Sequence, residues 1–288
     1  MVKDRLKVME WNLNFGGSDD VIPANFVKDY LIKCGIIVFT EVRANKKLLE
    51  IGSALKYDVI SSDNQGEEYS NQIVIMAPKS YKLQKIQGRL EKSVAPDFLH
   101  GIITIGENKV NIIGVRVKTF KDYKDRFEQL MALKEYGQNI EGPIICTGDF
   151  NSGQIRGESD ATYDEVKSLY EYKKNGERSD LCFYNFHMIK EAFRGKLNLV
   201  EIMGEDNSWG LIENNEKLLF GYPKARVKND LLLYSEDVEI VETHYSWQHV
   251  RDKELTYLDM LKQNRNKRCN KINHGYPDHA RLIAEFEI

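Results

Sequence analysis

Apolar residues in this chain come in short runs rather than in long helical stripes. The runs at 6–13, 35–40, 72–77, 101–105, 110–117, 143–147, 230–234, 238–243 and 282–288 are rich in β-branched residues and bounded by turn formers. That pattern predicts strands rather than helices. The run at 35–40, GIIVFT, has no polar alternation and predicts a strand buried on both faces. Helical spacing appears between some of the runs. Over 122–139, Phe127, Leu130, Met131, Leu133 and Tyr136 recur close to a 3.6-residue period. The stretches 162–174 and 183–193 are weaker helical candidates, and 23–33 fills the gap between the first two strands. Many short strands with helices between them predict an α/β (α+β) protein in which two packed, mostly antiparallel β-sheets are flanked by helices. No Pro/Gly/Ser-rich linker and no fixed repeat divides the chain, so one domain spanning 1–288 is expected.

Composition narrows the class. A chain of 288 residues, 42% of them hydrophobic, can bury a sizeable core, which excludes disordered and low-complexity readings. A net charge of −3 excludes a whole-molecule pull toward nucleic acid or acidic lipid and leaves only local patches. No apolar run approaches the roughly 20 residues of a membrane span, and the N-terminus enters a strand-like stretch without a secretory apolar region. Cys34, Cys146, Cys182 and Cys269 form no C-x-x-C and read as reduced core thiols. A soluble cytoplasmic protein with no membrane partner, acting as a monomer, is the expectation.

Candidate chemistry gathers where the strands end. The first strand runs into Glu10-Trp11-Asn12-Leu13-Asn14, and the second ends at Thr40-Glu41. The run at 143–147 leads into Gly148-Asp149-Phe150-Asn151, Lys228-Asn229-Asp230 opens a later strand, and Pro277-Asp278-His279 precedes the last. Each has a plain structural explanation, such as an Asx-turn after Gly148 or a cap at Asn12. Together they suit metal-assisted phosphoryl chemistry. Mg²⁺ takes oxygen ligands and keeps several waters, so one or two carboxylates suffice. A neutral amide binds a phosphate oxygen without repelling it, and a histidine paired to a buried carboxylate can be held cationic beside phosphoryl oxygens. The chain has no P-loop, no G-x-S-x-G and no H-E-x-x-H, and no His/Cys cage for zinc.

In this order, Trp11-Asn12, Glu41, Gly148-Asp149-Phe150-Asn151, Asp230 and Asp278-His279 resemble the endonuclease/exonuclease/phosphatase superfamily. The likeness covers about residue 6 to residue 288 and implies a DNase I-like four-layer sandwich; Arg126 and Gln129 in the helix before GDFN fit it too. It implies Mg²⁺ (or Mn²⁺) as cofactor, with Glu41 as the principal ligand, Asn12 supporting the metal or phosphate, and Asp278 completing the metal-side hydrogen bonds. Asp149 would orient or deprotonate the attacking water, Asn151 would hold a phosphate oxygen, and His279, its ring fixed by Asp230, would contact the scissile phosphate. The reaction implied is in-line displacement at phosphorus.

Two positions depart from the pattern. Asn14 stands where apurinic-type nucleases carry an aspartate, and Arg116 falls where relatives carry a histidine or a tyrosine. Arginine is permanently charged and cannot act as a general acid. Arg116 is therefore either a stabiliser of phosphate or leaving-group charge or a solvated residue on an outer strand face.

The substrate is read from what is missing and from one basic stretch. Ser152-Gly153 replaces the Tyr-Arg expected of phosphoinositide phosphatases, and the Tyr-Val-Pro-Asn of apurinic endonucleases is absent at 115–118. The stretch 262–271, KQNRNKRCNK, has five basic residues and no acid. Its Arg265, Lys267, Arg268 and Lys271 suit a phosphate backbone, with Trp247, Tyr257 and Tyr276 available for base stacking. Asn14 and Asn71 join them as expected substrate-binding residues. The expected function is a metal-dependent phosphodiesterase, foremost an intracellular nuclease on DNA, with RNA open. A small-molecule phosphatase or nucleotide phosphodiesterase, and a silent binding module, remain the alternatives.

Overall fold

The computed structural model describes residues 4–13, 24–33, 35–42, 46–62, 72–90, 95–118, 123–155, 189, 192–200, 202, 208, 211–213, 217–219, 227–251 and 279–288. One six-stranded sheet uses β1 (Arg5–Asn12), β2 (Ile36–Val42), β3 (Tyr57–Ser61), β4 (Gln72–Pro78), β13 (Glu239–Ser246) and β14 (Arg281–Glu287), in the order β13-β14-β1-β2-β4-β3. The other uses β5 (Gln84–Ile86), β6 (Asp97–Ile105), β7 (Asn108–Arg116), β8 (Ile144–Ile155), β9 (Asn198–Leu199) and β12 (Val227–Tyr234), in the order β5-β6-β7-β8-β12-β9. A small hairpin, β10 (Leu211–Glu213) and β11 (Lys217–Leu219), stands apart. In each large sheet a single neighbouring pair is parallel, β1 with β2 and β7 with β8, and the rest are antiparallel.

Three apolar layers hold the sandwich together. Leu6, Val8, Ile36, Val38, Ile73 and Ile75 of the first sheet interlock with Leu99, Ile103, Val110, Ile112, Ile145 and Leu232 of the second. On the outer face of the first sheet, Met9, Trp11, Ile37 and Phe39 pack under Val27 of α1 (Ala24–Asp29) and under Leu48 and Ile51 of α2 (Lys46–Ala54). On the outer face of the second, Ile113, Val115, Ile144 and Cys146 pack under Leu130 and Leu133 of α3 (Tyr123–Gln138). A short helix α4 (Gln248–Arg251) follows β13. The order helix, sheet, sheet, helix is therefore four-layered, as expected. Among the described residues no helix is long and apolar enough to cross a membrane.

Some local expectations need correction. The strand expected to stop at 147 continues as β8 through Ile155, because β12 goes on pairing with it beyond Asp149. Gly148 and Asp149 therefore pair inside a ladder, and Phe150 and Asn151 fall in the irregularity before pairing resumes at Gln154. Strand β3 was not among the expected elements. Its sequence, YDVIS, sits half-buried at the sheet edge, where little apolar patterning is required. The helix expected at 162–174 lies outside the described residues, as does most of 183–193. Cys146 is a free, fully buried thiol whose burial pushes its pKa up, while Cys34, Cys182 and Cys269 lie outside the described residues.

A polar network inside the second sheet carries a pH signature. The Asn111 side-chain amide donates to the carbonyls of Glu141 and Pro143, which turns its oxygen toward His100 Nε2 at 3.0 Å. Nε2 must then carry the proton, and Nδ1 accepts from the Tyr136 hydroxyl at 2.8 Å. Burial lowers the His100 pKa from its ordinary 6.5, against the Asn111 hydrogen bond that raises it. Below that pH the unfolded chain binds a proton that the folded chain resists, so stability present above about pH 6.5 is lost as the pH falls. Urea melts between pH 7 and 5 should show this decline, and His100→Gln should flatten it by up to about 1.4 kcal/mol per pH unit. An unchanged slope in the variant would remove His100 as the cause.

Candidate active site

The alternation of the strands explains which polar residues meet. Along β1, Leu6 and Val8 face the space between the sheets while Met9 and Trp11 face outward. The next inward positions are Glu10 and Asn12. Along β8, Ile145 is inward and Ile144, Cys146 and Phe150 outward, which puts Thr147 and Asp149 inward. In β7, Val110 and Ile112 are inward, and the same parity reaches Gly114 and Arg116; in β12, Leu232 is inward and Asp230 shares its face. The apolar core thus gives way to polar side chains at one end of both sheets. These groups are buried, and they must satisfy one another.

Asp149 is the centre of the cluster and is 1% exposed. Its Oδ2 accepts from the side-chain nitrogens of Asn12, at 3.0 Å across the seam between the sheets, and of Asn151, at 2.8 Å. Its Oδ1 accepts from the Asn151 backbone N–H at 2.8 Å. The Asn151 side chain also donates to the Val117 carbonyl at 2.9 Å, and its left-handed φ of 47° turns the amide back over Asp149. Burial first, with the Asp230 and Glu41 charges, pushes the Asp149 carboxyl up to about 7 against the pull of His279 and Arg116.

His279 is joined to β12 by its Nδ1, 2.8 Å from Asp230 Oδ2, and both side chains are almost fully buried. Asp230 is set by the backbone beneath it. Ser208 Oγ accepts from the N–H groups of Asn229 and Asp230 at the ladder irregularity between Lys228 and Asp230. The Ser208 carbonyl accepts from Ala280 N–H at 2.7 Å, which ties the histidine's segment to the same point. Trp11 Nε1 donates to the His279 carbonyl at 3.2 Å. Tyr245 donates its hydroxyl to the Asp230 carbonyl at 2.5 Å.

Glu41 and Arg116 form the second cross-sheet tie. The pairing of β2 with β4 slips by one residue between Phe39 and Val42, and Glu41 has φ 51°. This bulge re-aims a side chain that strict alternation would send outward. Arg116 Nε donates to Glu41 Oε1 at 2.8 Å, and each side chain is 12% exposed. Arg116 Nη1 lies 3.5 Å from Asp97 Oδ2, and Lys118 Nζ lies 3.1 Å from Asp97 Oδ1. Burial works against the Arg116 charge, but Glu41, Asp149 and Asp97 outweigh it and hold its pKa above the usual arginine value. The outer-face, solvated reading of Arg116 is thus overturned, since its strand register points it inward.

Several contributors escape motif reasoning. Glu10 is buried beneath the cluster with Thr40 donating to its Oε1 at 3.1 Å. Burial first, then Asp230 and Asp149, raise its pKa well above the carboxylate range, which favours its protonated form. Among the described residues Glu10 Oε2 and Asp230 Oδ1 are buried without a hydrogen-bond partner. Gln129, already marked by the family resemblance, closes a pair of bonds with the backbone of Lys118, accepting at 2.8 Å and donating at 3.1 Å, and so holds the chain leaving β7. For Glu10 the sequence signal was a carboxylate directly before Trp11-Asn12. Ser208, Asp97 and Tyr245 had none.

Trp247 also differs from expectation. It is 1% exposed and stacks on His249 at a centroid distance of 5.8 Å, so burial takes it away from any base. Asn14, Asn71, Asp278, Arg265, Lys267, Arg268, Lys271, Tyr257 and Tyr276 lie outside the described residues, and so does the side chain of Arg126.

The donor set suits a hard cation. Glu41 supplies a carboxylate and Asn12 an amide oxygen, and an ion that keeps most of its waters needs little more. Among the described residues no group of three or more His, Cys, Asp or Glu is gathered to hold a metal.

Gly148 allows β7 and β8 to meet at this point. Its φ is 154°, and a Cβ there would stand 1.8 Å from the Val115 carbonyl oxygen. Gly148→Ala should destabilise the fold by on the order of 3 kcal/mol or more, by forcing apart the strands that carry Arg116 and Asp149. Denaturant unfolding checks this, and a loss under about 0.5 kcal/mol would contradict it.

No protein-family model matches the chain, and no curated protein does. Solved structures match it from end to end. A Bacteroides thetaiotaomicron protein of the endonuclease/exonuclease/phosphatase family is 15% identical with a TM-score of 0.59, covering 100% of this chain and 99% of that one. D. rerio TDP2, solved with a single-strand DNA product, is 13% identical with a TM-score of 0.58, covering 99% of both chains. ANGEL2, a 2′,3′-cyclic phosphatase solved with adenosine-2′,3′-vanadate, is 13% identical with a TM-score of 0.59, covering 99% of this chain and 96% of that one. With its paired six-stranded sheets between helical layers, the chain has the DNase I-like fold that endonuclease/exonuclease/phosphatase proteins share.

Proposed function

We propose that the chain is a phosphoesterase, specifically a Mg²⁺- or Mn²⁺-dependent phosphodiesterase that cuts DNA, with RNA as a second substrate, working as a monomeric single domain. The observation that carries this reading is the Asp149 cluster, in which amides, carboxylates, an imidazole and a guanidinium from both sheets meet at one edge. A binding module has no need to keep such a costly set of buried charges together. Relatives solved with a DNA product and with a nucleotide vanadate support phosphate esters of nucleotides as the substrate class.

The roles follow from the chemistry of each group. Asp149 accepts three donors over its two oxygens, and a carboxylate has about four acceptor positions. The remaining one, on Oδ1, takes the proton of the attacking water. Burial that raises its basicity toward neutrality suits that task. Asn151 and Asn12 keep Asp149 oriented, and Asn151, both of whose amide hydrogens are already donated, would hold a phosphate oxygen by giving up its bond to the Val117 carbonyl. His279, with Nδ1 fixed on Asp230, presents Nε2 to the phosphoryl group and stabilises its growing charge. Arg116 adds a permanent positive charge on the phosphate, and the leaving oxygen takes its proton from water. Glu41, Asn12 and Asp278 would hold the ion, which when bound polarises a phosphate oxygen. Asn14, Asn71 and the basic residues Arg265, Lys267, Arg268 and Lys271 would track the nucleic-acid backbone.

The test is a panel of supercoiled plasmid, single-stranded DNA, RNA and a small phosphomonoester, each with Mg²⁺, Mn²⁺ or EDTA. Nucleic-acid cleavage should need the metal and fall by about 10³-fold or more in Asp149→Ala and in His279→Ala, with the circular dichroism of both variants unchanged. Full activity in either variant would refute the assignment. Turnover of the monoester alone would favour a small-molecule phosphatase, a reading that the cyclic-phosphatase relative keeps open.

A further inference from the structure

Glu41, the carboxylate best suited to a divalent ion, already has a cation. Arg116 Nε lies 2.8 Å from Glu41 Oε1 with both side chains largely out of water, where an ion pair is little screened. The guanidinium cannot give up its charge to make room. Asp149, beside it on the neighbouring strand, and Asp97, at 3.5 Å, also act on it, and Asp97 is shared with Lys118 at 3.1 Å. If Glu41 turned to an incoming ion, Arg116 would lose its shortest described carboxylate contact, 2.8 Å against 3.5 Å for Asp97. It would then seek a new anion, and planar bidentate donors are well matched to phosphate.

We propose that Arg116 is the resident cation of Glu41, and that a divalent ion binds by displacing the guanidinium, which is thereby released onto the phosphate of the substrate. The proposal rests on the metal-dependent reading above and deepens it. Arg116 acts both as a competitor of the metal in the free enzyme and as a phosphate ligand in the loaded one. Metal and phosphate then bind co-operatively through one side chain, and the free chain holds metal weakly until its substrate arrives. A bulged Glu41, aimed across the seam, is what makes the exchange possible: its carboxylate faces the guanidinium from the opposite sheet.

Mn²⁺ binding to the full chain, followed by electron paramagnetic resonance without substrate, tests the exchange. Arg116→Gln should tighten Mn²⁺ on the order of tenfold, within the usual range of coupling between sites. Lys118→Gln removes the same charge from the Asp97 side and should change affinity by less than about twofold. In an Arg116→Gln/Glu41→Gln double variant the tightening should vanish. The unaltered chain gives a second readout that needs no folded variant: the Arg116 Nε–H resonance should shift when Mg²⁺ is added. Equal Mn²⁺ affinity in wild type and Arg116→Gln, or an equal gain in Lys118→Gln, or an unmoved resonance, overturns the exchange while the metal-dependent reading stands. Absence of Mn²⁺ binding in every form, Arg116→Gln included, overturns both.

Discussion

The hydrogen bond between Asn12 and Asp149 joins two sheets where their apolar interface runs out. Inward positions deeper in the sandwich are filled by Val8, Val38, Ile112 and Ile145, which need no partners. At this end the same register supplies Asn12, Asp149, Asp230 and Arg116, which cannot be buried alone. Each therefore takes a partner from another strand or from the other sheet. The catalytic geometry proposed for the chain is the outcome of that requirement. Breaking one buried charged pair would typically cost about 3–5 kcal/mol, so the same contacts that would do chemistry also hold the seam closed.

Backbone irregularities do the aiming. A regular strand would leave Glu41 facing the helical layer, and the bulge after Phe39 turns it to Arg116. A positive φ at Asn151 folds its amide over Asp149. At β12 the slip between Lys228 and Asp230 leaves two N–H groups out of the ladder, and Ser208 takes both. Three local departures from ideal pairing thus sit beside three of the polar groups in the cluster, as expected where a site stores strain that its surroundings maintain.

Much of the fold was legible in the sequence. Runs such as GIIVFT and the period of Leu130, Leu133 and Tyr136 marked β2 and α3 because burial on a strand or helix leaves a periodic apolar trace. Edge strand β3 left none, since its half-exposed positions tolerate Asp58 and Ser61. Asn12, Asp149, Asp230 and His279 were legible as a set because polar residues interrupt apolar strands at the same end. Which atoms would meet was not. The Arg116–Glu41 pair depends on a bulge and on which face of each sheet turns inward, and neither is encoded in spacing. Glu10 and Ser208 act through burial and backbone bonds that no short motif announces.

Hydrolysis in water enriched in ¹⁸O, under single-turnover conditions with an oligonucleotide and Mg²⁺ or Mn²⁺, tests the account at its centre. Attack by a water that Asp149 activates requires a single ¹⁸O in the phosphate of the cleaved product, incorporated at the rate of strand cleavage. Cleavage without ¹⁸O in the product phosphate, or an intact oligonucleotide after prolonged incubation with either metal, would contradict it.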